Sequence, residues 1–113
     1  MKITLHSEGD RCTLALHGDL DAASSLAVDE AIAQAVQNGF TAIWINCQEL
    51  NYISSAGLGV FLSYIQDFNS RQIGLVLFNV SPRIRDVFNL LSLDTLVPIL
   101  DVGEAATGLA RRA

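Results

Sequence analysis

The first twenty residues alternate between apolar and polar positions. A period of two is typical of a β-strand that buries one face. A polar stretch at residues 7–10, which contains Gly9, divides the alternation into two runs. The pattern therefore predicts a hairpin of two strands at the start of the chain. Its apolar positions are Ile3, Leu5, Cys12, Leu14 and Leu16.

Three later segments carry apolar residues at helical spacing. The first extends to about Gln37, because Asn38 and Gly39 supply a stop signal. The second covers about residues 56–69, and the third begins at residues 81–82 with a serine N-cap and a first-turn proline. The apolar stripes are Ala27, Val28, Ala31, Ile32, Ala35 and Val36, then Leu58, Phe61, Leu62, Ile65 and Phe68, and finally Ile84, Val87, Phe88 and Leu91.

Two segments are short, apolar and rich in β-branched side chains, namely residues 40–45 and residues 73–80. Such segments are typical of interior strands in a sheet that is covered on at least one face. Since the second predicted helix lies between them, they are predicted to form a βαβ unit with adjacent, parallel strands. Residues 96–100 are predicted to add an edge strand, followed by a short final helix.

Together these elements predict one α/β domain that spans residues 1–113. Two domains within this length would each be too small to bury enough apolar surface against the entropy of the chain. We expect a mixed sheet of four to five strands. About four helices are expected to pack mainly on one face of that sheet, because each helical stripe has a single apolar side.

Composition narrows the class of partner. Half of the residues are hydrophobic and 17% are charged, so we expect a packed core with some apolar surface left for a partner. The first fifty residues hold seven acids against Lys2 and Arg11, and they carry the whole net charge of -5. An acidic surface repels phosphate backbones and anionic lipid. We therefore expect a basic protein groove as partner, and neither nucleic acid nor a membrane.

The cysteines and the chain start favour a cytoplasmic protein without a cofactor. Cys12 and Cys47 lack metal-ligand spacing and lie in apolar segments, which favours two buried thiols over a disulfide or redox pair. The start of the chain has no apolar signal-peptide region, and no apolar run approaches bilayer length. No carboxylate pair, metal-ligand constellation or lysine-bearing phosphate loop indicates catalysis.

Ser54 and Ser55 stand at the predicted start of the second helix. They follow residues 47–53, which we expect to form a loop after the carboxyl end of a strand, where functional residues are common in α/β folds. An ordinary N-cap explains one serine. It does not explain Gly57 and Gly59, which each cost roughly 1 kcal/mol in helix propensity relative to alanine. We therefore expect a close approach to the backbone there.

A phosphate at this position would meet unpaired backbone N–H groups and the positive end of the helix dipole. It would add a charge of about -1.5 to -2, beside Asp19 and Asp21 if these lie nearby. The fold would accept the group, while docking to an acidic or apolar partner would fail. A hydrolase nucleophile is the rival hypothesis, but Ile53 stands where that motif requires glycine, so we do not expect an enzyme.

Three motifs resemble those of a known family. They are GDLD at residues 18–21, with Asn46 ending a later strand, YISSAGLGV at residues 52–60, and SPRIRDVF at residues 81–88. With these motifs the chain resembles the STAS-domain anti-sigma factor antagonists over nearly its whole length. The resemblance implies a single STAS-like domain that regulates transcription by binding another protein.

By this resemblance, Ser55 is the phosphorylated serine and Ser54 a minor candidate. The kinase would be a GHKL-type anti-sigma factor that the unphosphorylated chain binds, and a metal-dependent serine phosphatase would restore the binding form. Asp19 and Asp21 are equally explained as cap and turn formers, and Asn46 as a side chain that closes a turn. The expected partner contacts are Asp19, Asp21, Asn46, Ser54, Ala56, Gly57 and Leu58.

The same resemblance leaves a second class of role open. STAS domains also serve as accessory subunits of lipid-transport ABC ATPases, as stressosome-type scaffolds and as regulators of other signalling kinases. All of these are protein-docking modules. The residues quoted above are compatible with each of them.

Overall fold

The N-terminal hairpin forms as the alternation predicts. In the computed structural model, which describes residues 1–90 and 99–100, strand β1 (Lys2–Glu8) pairs antiparallel with strand β2 (Arg11–Leu20). The register is continuous, from Lys2 opposite His17 to Glu8 opposite Arg11. Gly9 makes the turn at a φ of 59°, a left-handed conformation that glycine adopts without a steric penalty.

The remaining strands of the main sheet run parallel to β2. Strand β3 (Ala42–Asn46) pairs with β2, β5 (Gly74–Phe78) pairs with β3, and β6 (Ile99–Leu100) pairs with β5. The order β1-β2-β3-β5-β6 confirms a mixed sheet of five strands in its main path, with β3 and β5 adjacent and parallel. The predicted edge strand is present at β6. Its first residues, 96–98, and the predicted final helix lie outside the described residues.

Within the described residues, three helices pack on one face of this sheet, as predicted. They are α1 (Ala22–Gln37), α2 (Ser55–Arg71) and α3 (Pro82–Leu90). The Ser81 Oγ accepts the N–H of Ile84 at 3.4 Å, which confirms the predicted cap of α3. The helical residues that enter the main core are Val28, Ile32, Ala35, Leu58, Phe61, Ile65, Phe68, Ile84 and Phe88.

The segment that we predicted to be a loop before Ser54 contains a strand, which corrects the prediction. Strand β4 (Leu50–Ile53) pairs parallel with the end of β2, off the main path of the sheet. Its two end residues are buried and its two middle residues are exposed, so it shows no alternation. Pairing with a distant part of the chain, rather than local pattern, makes this segment a strand.

One residue of the predicted apolar stripe of α2, Leu62, faces solvent instead of the core. Leu58 and Phe61 are 6% and 1% exposed, whereas Leu62 is 44% exposed. Leu62 directly follows Phe61, and one residue turns an α-helix by about 100°. In α1, Ala27 is likewise exposed, while the stripe at Val28 is buried.

The sheet face away from the described helices carries a second, smaller cluster. Trp44 and Val76 are buried there, with Phe78 packed against them. The Arg11 guanidinium lies 4.3 Å from the centre of the Trp44 ring and bonds Glu8 at 2.9 Å. Both faces of β3 and β5 are therefore apolar, which explains why these strands form unbroken apolar runs in the sequence.

Both cysteines are free and fully buried in the core, as predicted. Burial raises the pKa of the Cys47 thiol to about 12, because a thiolate would be poorly solvated there. The nucleophilic form of this cysteine is therefore suppressed. Among the described residues, no helix combines the length and the apolar character that crossing a membrane requires.

Leu58 and Leu62 provide a test of the core. Leu58→Glu places an unpaired charge among buried side chains, and we expect the free energy of unfolding to fall by roughly 3 kcal/mol or more. Leu62→Glu adds the same charge one turn later on the exposed side, and should change this free energy by about 1 kcal/mol or less. Urea unfolding followed by circular dichroism measures both. Equal midpoints for the two variants would contradict this core.

Candidate functional site

Ser54 and Ser55 begin α2 in different surroundings. Ser54 is the N-cap, and its Oγ accepts the N–H of Gly57 at 3.2 Å. Its own N–H donates to the carbonyl O of Leu20 at 2.8 Å. Ser55 is the first residue of the helix and is exposed. The Ser54 hydroxyl is therefore used within the fold, while Ser55 is accessible from solution.

The amino end of α2 offers a favourable position for an anion. The first N–H groups of an α-helix have no partner within the helix, and the helix dipole places partial positive charge there. In α2 the Ser54 hydroxyl satisfies only the N–H of Gly57. A negative group attached to Ser55 would therefore lie next to the positive end of a 17-residue helix.

Gly57 is required by packing within the protein. A Cβ atom at this position would lie 2.6 Å from Cγ of Leu20 and 3.1 Å from its carbonyl O. The close approach that the sequence indicates is therefore an approach of α2 to the end of β2. Gly59 differs, because it is exposed and a Cβ atom there would meet nothing within 4 Å.

The pairing of β4 with β2 brings Asp19 to this end of the sheet. Asp19 lies opposite Tyr52, two residues before the Ser54 cap. Both side chains are exposed, Tyr52 by 53%. The Asp19 carboxylate makes no hydrogen bond or ion pair with another described residue. A carboxylate and an aromatic ring therefore flank the serines and are available to a partner.

Asp21 has a structural role as the N-cap of α1. Its carboxylate accepts the N–H of Ser24, and the Ser24 Oγ accepts the N–H of Asp21, both at 2.9 Å. The bonds from the Ser24 backbone and hydroxyl hold the pKa of the Asp21 carboxyl below its ordinary value. A depressed pKa of this kind stabilises the fold above the unfolded-state pKa, and the effect disappears as pH falls through the folded-state pKa. The structure thus supports the capping interpretation of Asp21.

Asn46 ends β3 and connects two loops. Its Oδ1 accepts hydrogen bonds from the backbone N–H of Gln48 and from the Nδ2 group of Asn79, each at 3.1 Å. Asn79 follows β5 and has a left-handed φ of 57°. Neither of these bonds involves Ser54 or Ser55. The structure therefore supports the turn-closing interpretation of Asn46.

Arg83, in the first turn of α3, was not predicted to contribute to the site. Its guanidinium donates to the carbonyl O of Asn51 in β4 at 2.8 Å. This bond connects α3 to the strand that leads into Ser54. A contact between residues 32 positions apart leaves no trace in local periodicity, so the sequence offered no signal for it.

The predicted contact residues fall into three groups. Asp19, Asp21 and Ala56 are exposed at the same end of the sheet as Ser55, and the half-buried Ser54 lies beside them. Gly57 and Leu58 are buried beneath that surface, and they shape it from within. Asn46 is half-buried at the end of the neighbouring strand. No three His, Cys, Asp or Glu side chains of the described residues are placed to hold a metal ion.

Comparison with protein families identifies the class of this protein. Residues 2–106 match the model of the STAS domain, so the chain belongs to the STAS domain family. The anti-sigma-B factor antagonist of Listeria monocytogenes is 32% identical over 94 residues, which cover 82% of each chain. BtrV of Bordetella bronchiseptica, whose name places it among anti-sigma factor antagonists, is 28% identical over 113 residues, 100% of this chain and 97% of BtrV. Within the STAS family, the chain therefore belongs to the anti-sigma factor antagonists.

Solved structures share the fold. SpoIIAA, an anti-sigma factor antagonist, has a TM-score of 0.76 in its unphosphorylated form at 24% identity, over 97% of this chain and 98% of SpoIIAA. The phosphorylated form of SpoIIAA, a Bacillus cell fate determinant, has a TM-score of 0.73 at 24% identity, over 96% of this chain and 99% of SpoIIAA. The predicted STAS-like fold is thereby confirmed.

Alanine substitutions separate the roles of the two serines. Ser54→Ala removes the N-cap of α2, and we expect the free energy of unfolding to fall by about 1 kcal/mol. Ser55→Ala leaves the cap in place and should change this quantity by less than about 0.5 kcal/mol. Ser54→Asp serves as a control, because a carboxylate also caps a helix. A larger loss for Ser55→Ala than for Ser54→Ala in urea unfolding would show that the cap is assigned to the wrong serine.

The two glycines of α2 form a matched pair. Gly57→Ala forces a Cβ atom against Leu20, and we expect a loss of about 1–3 kcal/mol in the free energy of unfolding. Gly59→Ala meets open space in a helix and should gain up to about 1 kcal/mol from helix propensity. Chemical denaturation of both variants measures the two effects. Stabilisation by Gly57→Ala would be inconsistent with the contact between α2 and Leu20.

Proposed function

We propose that this protein is an anti-sigma factor antagonist switched by phosphorylation of Ser55. In its unphosphorylated form it binds a GHKL-type anti-sigma factor that is also a serine kinase, and so releases the sigma factor. Transfer of phosphate to Ser55 ends the binding. A metal-dependent serine phosphatase then restores the binding form.

The single observation that carries this proposal is the contrast between the two serines. Ser55 is exposed at the first position of α2, whereas the Ser54 hydroxyl caps the helix. A kinase can therefore reach the Ser55 hydroxyl without breaking an internal bond. Phosphorylation of Ser54 would instead disturb the bond to Gly57, so Ser54 remains the minor candidate.

The effect of the phosphate follows from its surroundings. The helix dipole and the amino end of α2 tolerate the dianion, so the fold stays intact. On the protein surface, the dianion adds to the negative charge of the exposed Asp19 and Asp21 carboxylates. A partner surface that accepts the neutral serine, together with the exposed Tyr52, would have to desolvate this added charge. Binding is therefore lost while the antagonist remains folded.

The relatives support this assignment. The matching protein of Listeria monocytogenes is named as an antagonist of the anti-sigma-B factor. SpoIIAA, which shares the fold, is known in an unphosphorylated and a phosphorylated form. We accordingly propose a regulator without catalytic activity of its own, which works in the cytoplasm where ATP and sigma factors are found. Its partner surface is formed by Asp19, Asp21, Ser54 and Ala56, with Asn46 at the end of the neighbouring strand and with Gly57 and Leu58 buried beneath it as its support.

Incubation with ATP and the anti-sigma factor kinase of the same organism tests the proposal. We expect one phosphate per chain, located on Ser55 by mass spectrometry. Ser55→Ala should bind the kinase and remain unmodified, while Ser55→Asp should bind it at least about tenfold more weakly. Ser63→Asp is the matched control, because it adds the same charge at an exposed position two turns further along α2.

Two results would overturn the proposal. Phosphate found on Ser54 alone would refute the choice of serine. Equal binding of the kinase by Ser55→Asp and the unmodified chain would refute the switch. Co-purification of the chain from its host with a lipid-transport ABC ATPase, and with no kinase, would instead favour the accessory-subunit role.

A further inference from the structure

Strand β1 forms an edge of the sheet. On one side all seven of its residues, Lys2–Glu8, pair with β2. The strand order begins with β1, and no described residue pairs with its other side. Such an edge presents a row of unpaired backbone N–H and C=O groups, which can continue the sheet with another strand.

This edge lacks the features that commonly prevent strand pairing. Natural edge strands are protected by proline, by bulges or by charges within the strand. The register of β1 with β2 shows no bulge, and β1 contains no proline. Its formal charges stand only at its two ends, on Lys2 and Glu8. Its central residue, Leu5, is 57% exposed.

The sequence of β1 is complementary to itself when two copies run antiparallel. Residues directly opposite each other in an antiparallel pair share a face of the sheet, with Cβ atoms about 4.5–5.5 Å apart. We propose that a second copy of this chain pairs with β1 about a two-fold axis at Leu5, which joins two sheets into one. The facing pairs are then Lys2 with Glu8, Ile3 with Ser7, Thr4 with His6, and Leu5 with Leu5.

The terminal charges select this register. Lys2 makes no ion pair with a described residue, and Glu8 uses its Oε2 to bond Arg11 at 2.9 Å. The Oε1 of Glu8 is therefore left for Lys2 of the second copy, and two-fold symmetry makes this contact twice. A register shifted by two residues would place Lys2 opposite His6 and leave Glu8 beyond the paired segment. The Lys2–Glu8 contacts therefore favour the axis at Leu5.

Leu5 supplies the apolar contact at the axis. Ile3 packs against the main core, and Leu5, two residues later in the strand, lies on the same face. In the dimer the two Leu5 side chains face each other, so apolar surface that is exposed in one copy is buried in both. The central exposed leucine of an otherwise polar strand thereby acquires a partner.

The proposed dimer is small and leaves the serines accessible. A single pair of seven-residue strands falls below the roughly 1,200 Å² that stable complexes bury, so we expect association at about 0.1 mM or above. The partner's β2 runs opposite to β2, which places the two copies of Ser55 at opposite ends of the joined sheet. The dimer is therefore independent of the proposed phosphorylation, and either proposal can fail alone.

Charge reversal tests the register. Sedimentation velocity of the purified chain, from about 10 μM to about 1 mM in ~0.15 M salt, measures the dissociation constant. Lys2→Glu and Glu8→Lys each place like charges opposite each other, and each should weaken the dimer about tenfold or more. The combined variant restores both contacts in reverse, and its dissociation constant should return to within about threefold of the original.

Cross-linking tests the position of the axis. In Leu5→Cys the two introduced thiols face each other, so mild oxidation should give a dimer that dithiothreitol separates. Ser7→Cys is the matched control, because the two thiols would lie four strand positions apart. The native Cys12 and Cys47 are buried and do not interfere. Circular dichroism of each variant confirms that the fold is retained.

The outcomes decide the proposal. Restoration by the combined charge reversal, together with cross-linking of Leu5→Cys and not of Ser7→Cys, supports it. A chain that stays monomeric at about 1 mM overturns it and leaves the edge to a strand of a different protein. A dimer whose dissociation constant is unchanged by the charge reversals also overturns it, because the interface would then lie elsewhere. Equal cross-linking of the two cysteine variants does so for the same reason.

Discussion

The contact between Leu20 and the start of α2 determines where the candidate site lies. The N–H of Ser54 donates to the carbonyl O of Leu20, and the backbone at Gly57 lies against the side chain of the same leucine. Leu20 ends β2, which is held by β1, β3 and β4. The amino end of α2 is therefore fixed to the end of β2, where β4 also pairs, and the residue after the cap has a defined position on the surface.

This arrangement separates the rigid part of the site from its exposed rim. Ser54, Gly57 and Leu58 belong to the cap and the core, and their replacement acts on stability first. Ser55 and the side chains of Asp19 and Tyr52 are exposed and take little part in the fold. A phosphate on Ser55, as proposed, would change the charge of the surface and would leave the packing beneath it unchanged.

The sequence predicted the elements whose signal is local. Alternation revealed the hairpin, helical spacing revealed the three described helices, and apolar runs revealed β3 and β5, because burial of one or both faces imposes these periods. Strand β4 was missed, since its four residues do not alternate and it is a strand only through its pairing with β2. Leu62 was misplaced because helical spacing does not show how far round the helix the buried stripe extends, and Leu62, about 100° from Phe61, lies on the exposed side.

The site was predicted less completely than the fold. The motif located both serines, but only the hydrogen bond to Gly57 shows which of them caps the helix. Gly57 and Gly59 are indistinguishable in sequence, whereas one touches Leu20 and the other faces open space. The links from Asn46 to Asn79 and from Arg83 to Asn51 join residues more than thirty positions apart. Such contacts depend on the assembled sheet, and no local pattern encodes them.

The hydrogen bond from Arg83 to Asn51 also affects local unfolding of the protein. Proteins unfold locally in cooperative segments, and a bond between two segments raises the free energy at which either separates. Arg83 joins α3 to β4, so detachment of α3 removes a clamp from the strand that precedes the serines. The order of the end of the protein that carries the serines thus depends on the attachment of a helix that begins nearly thirty residues later.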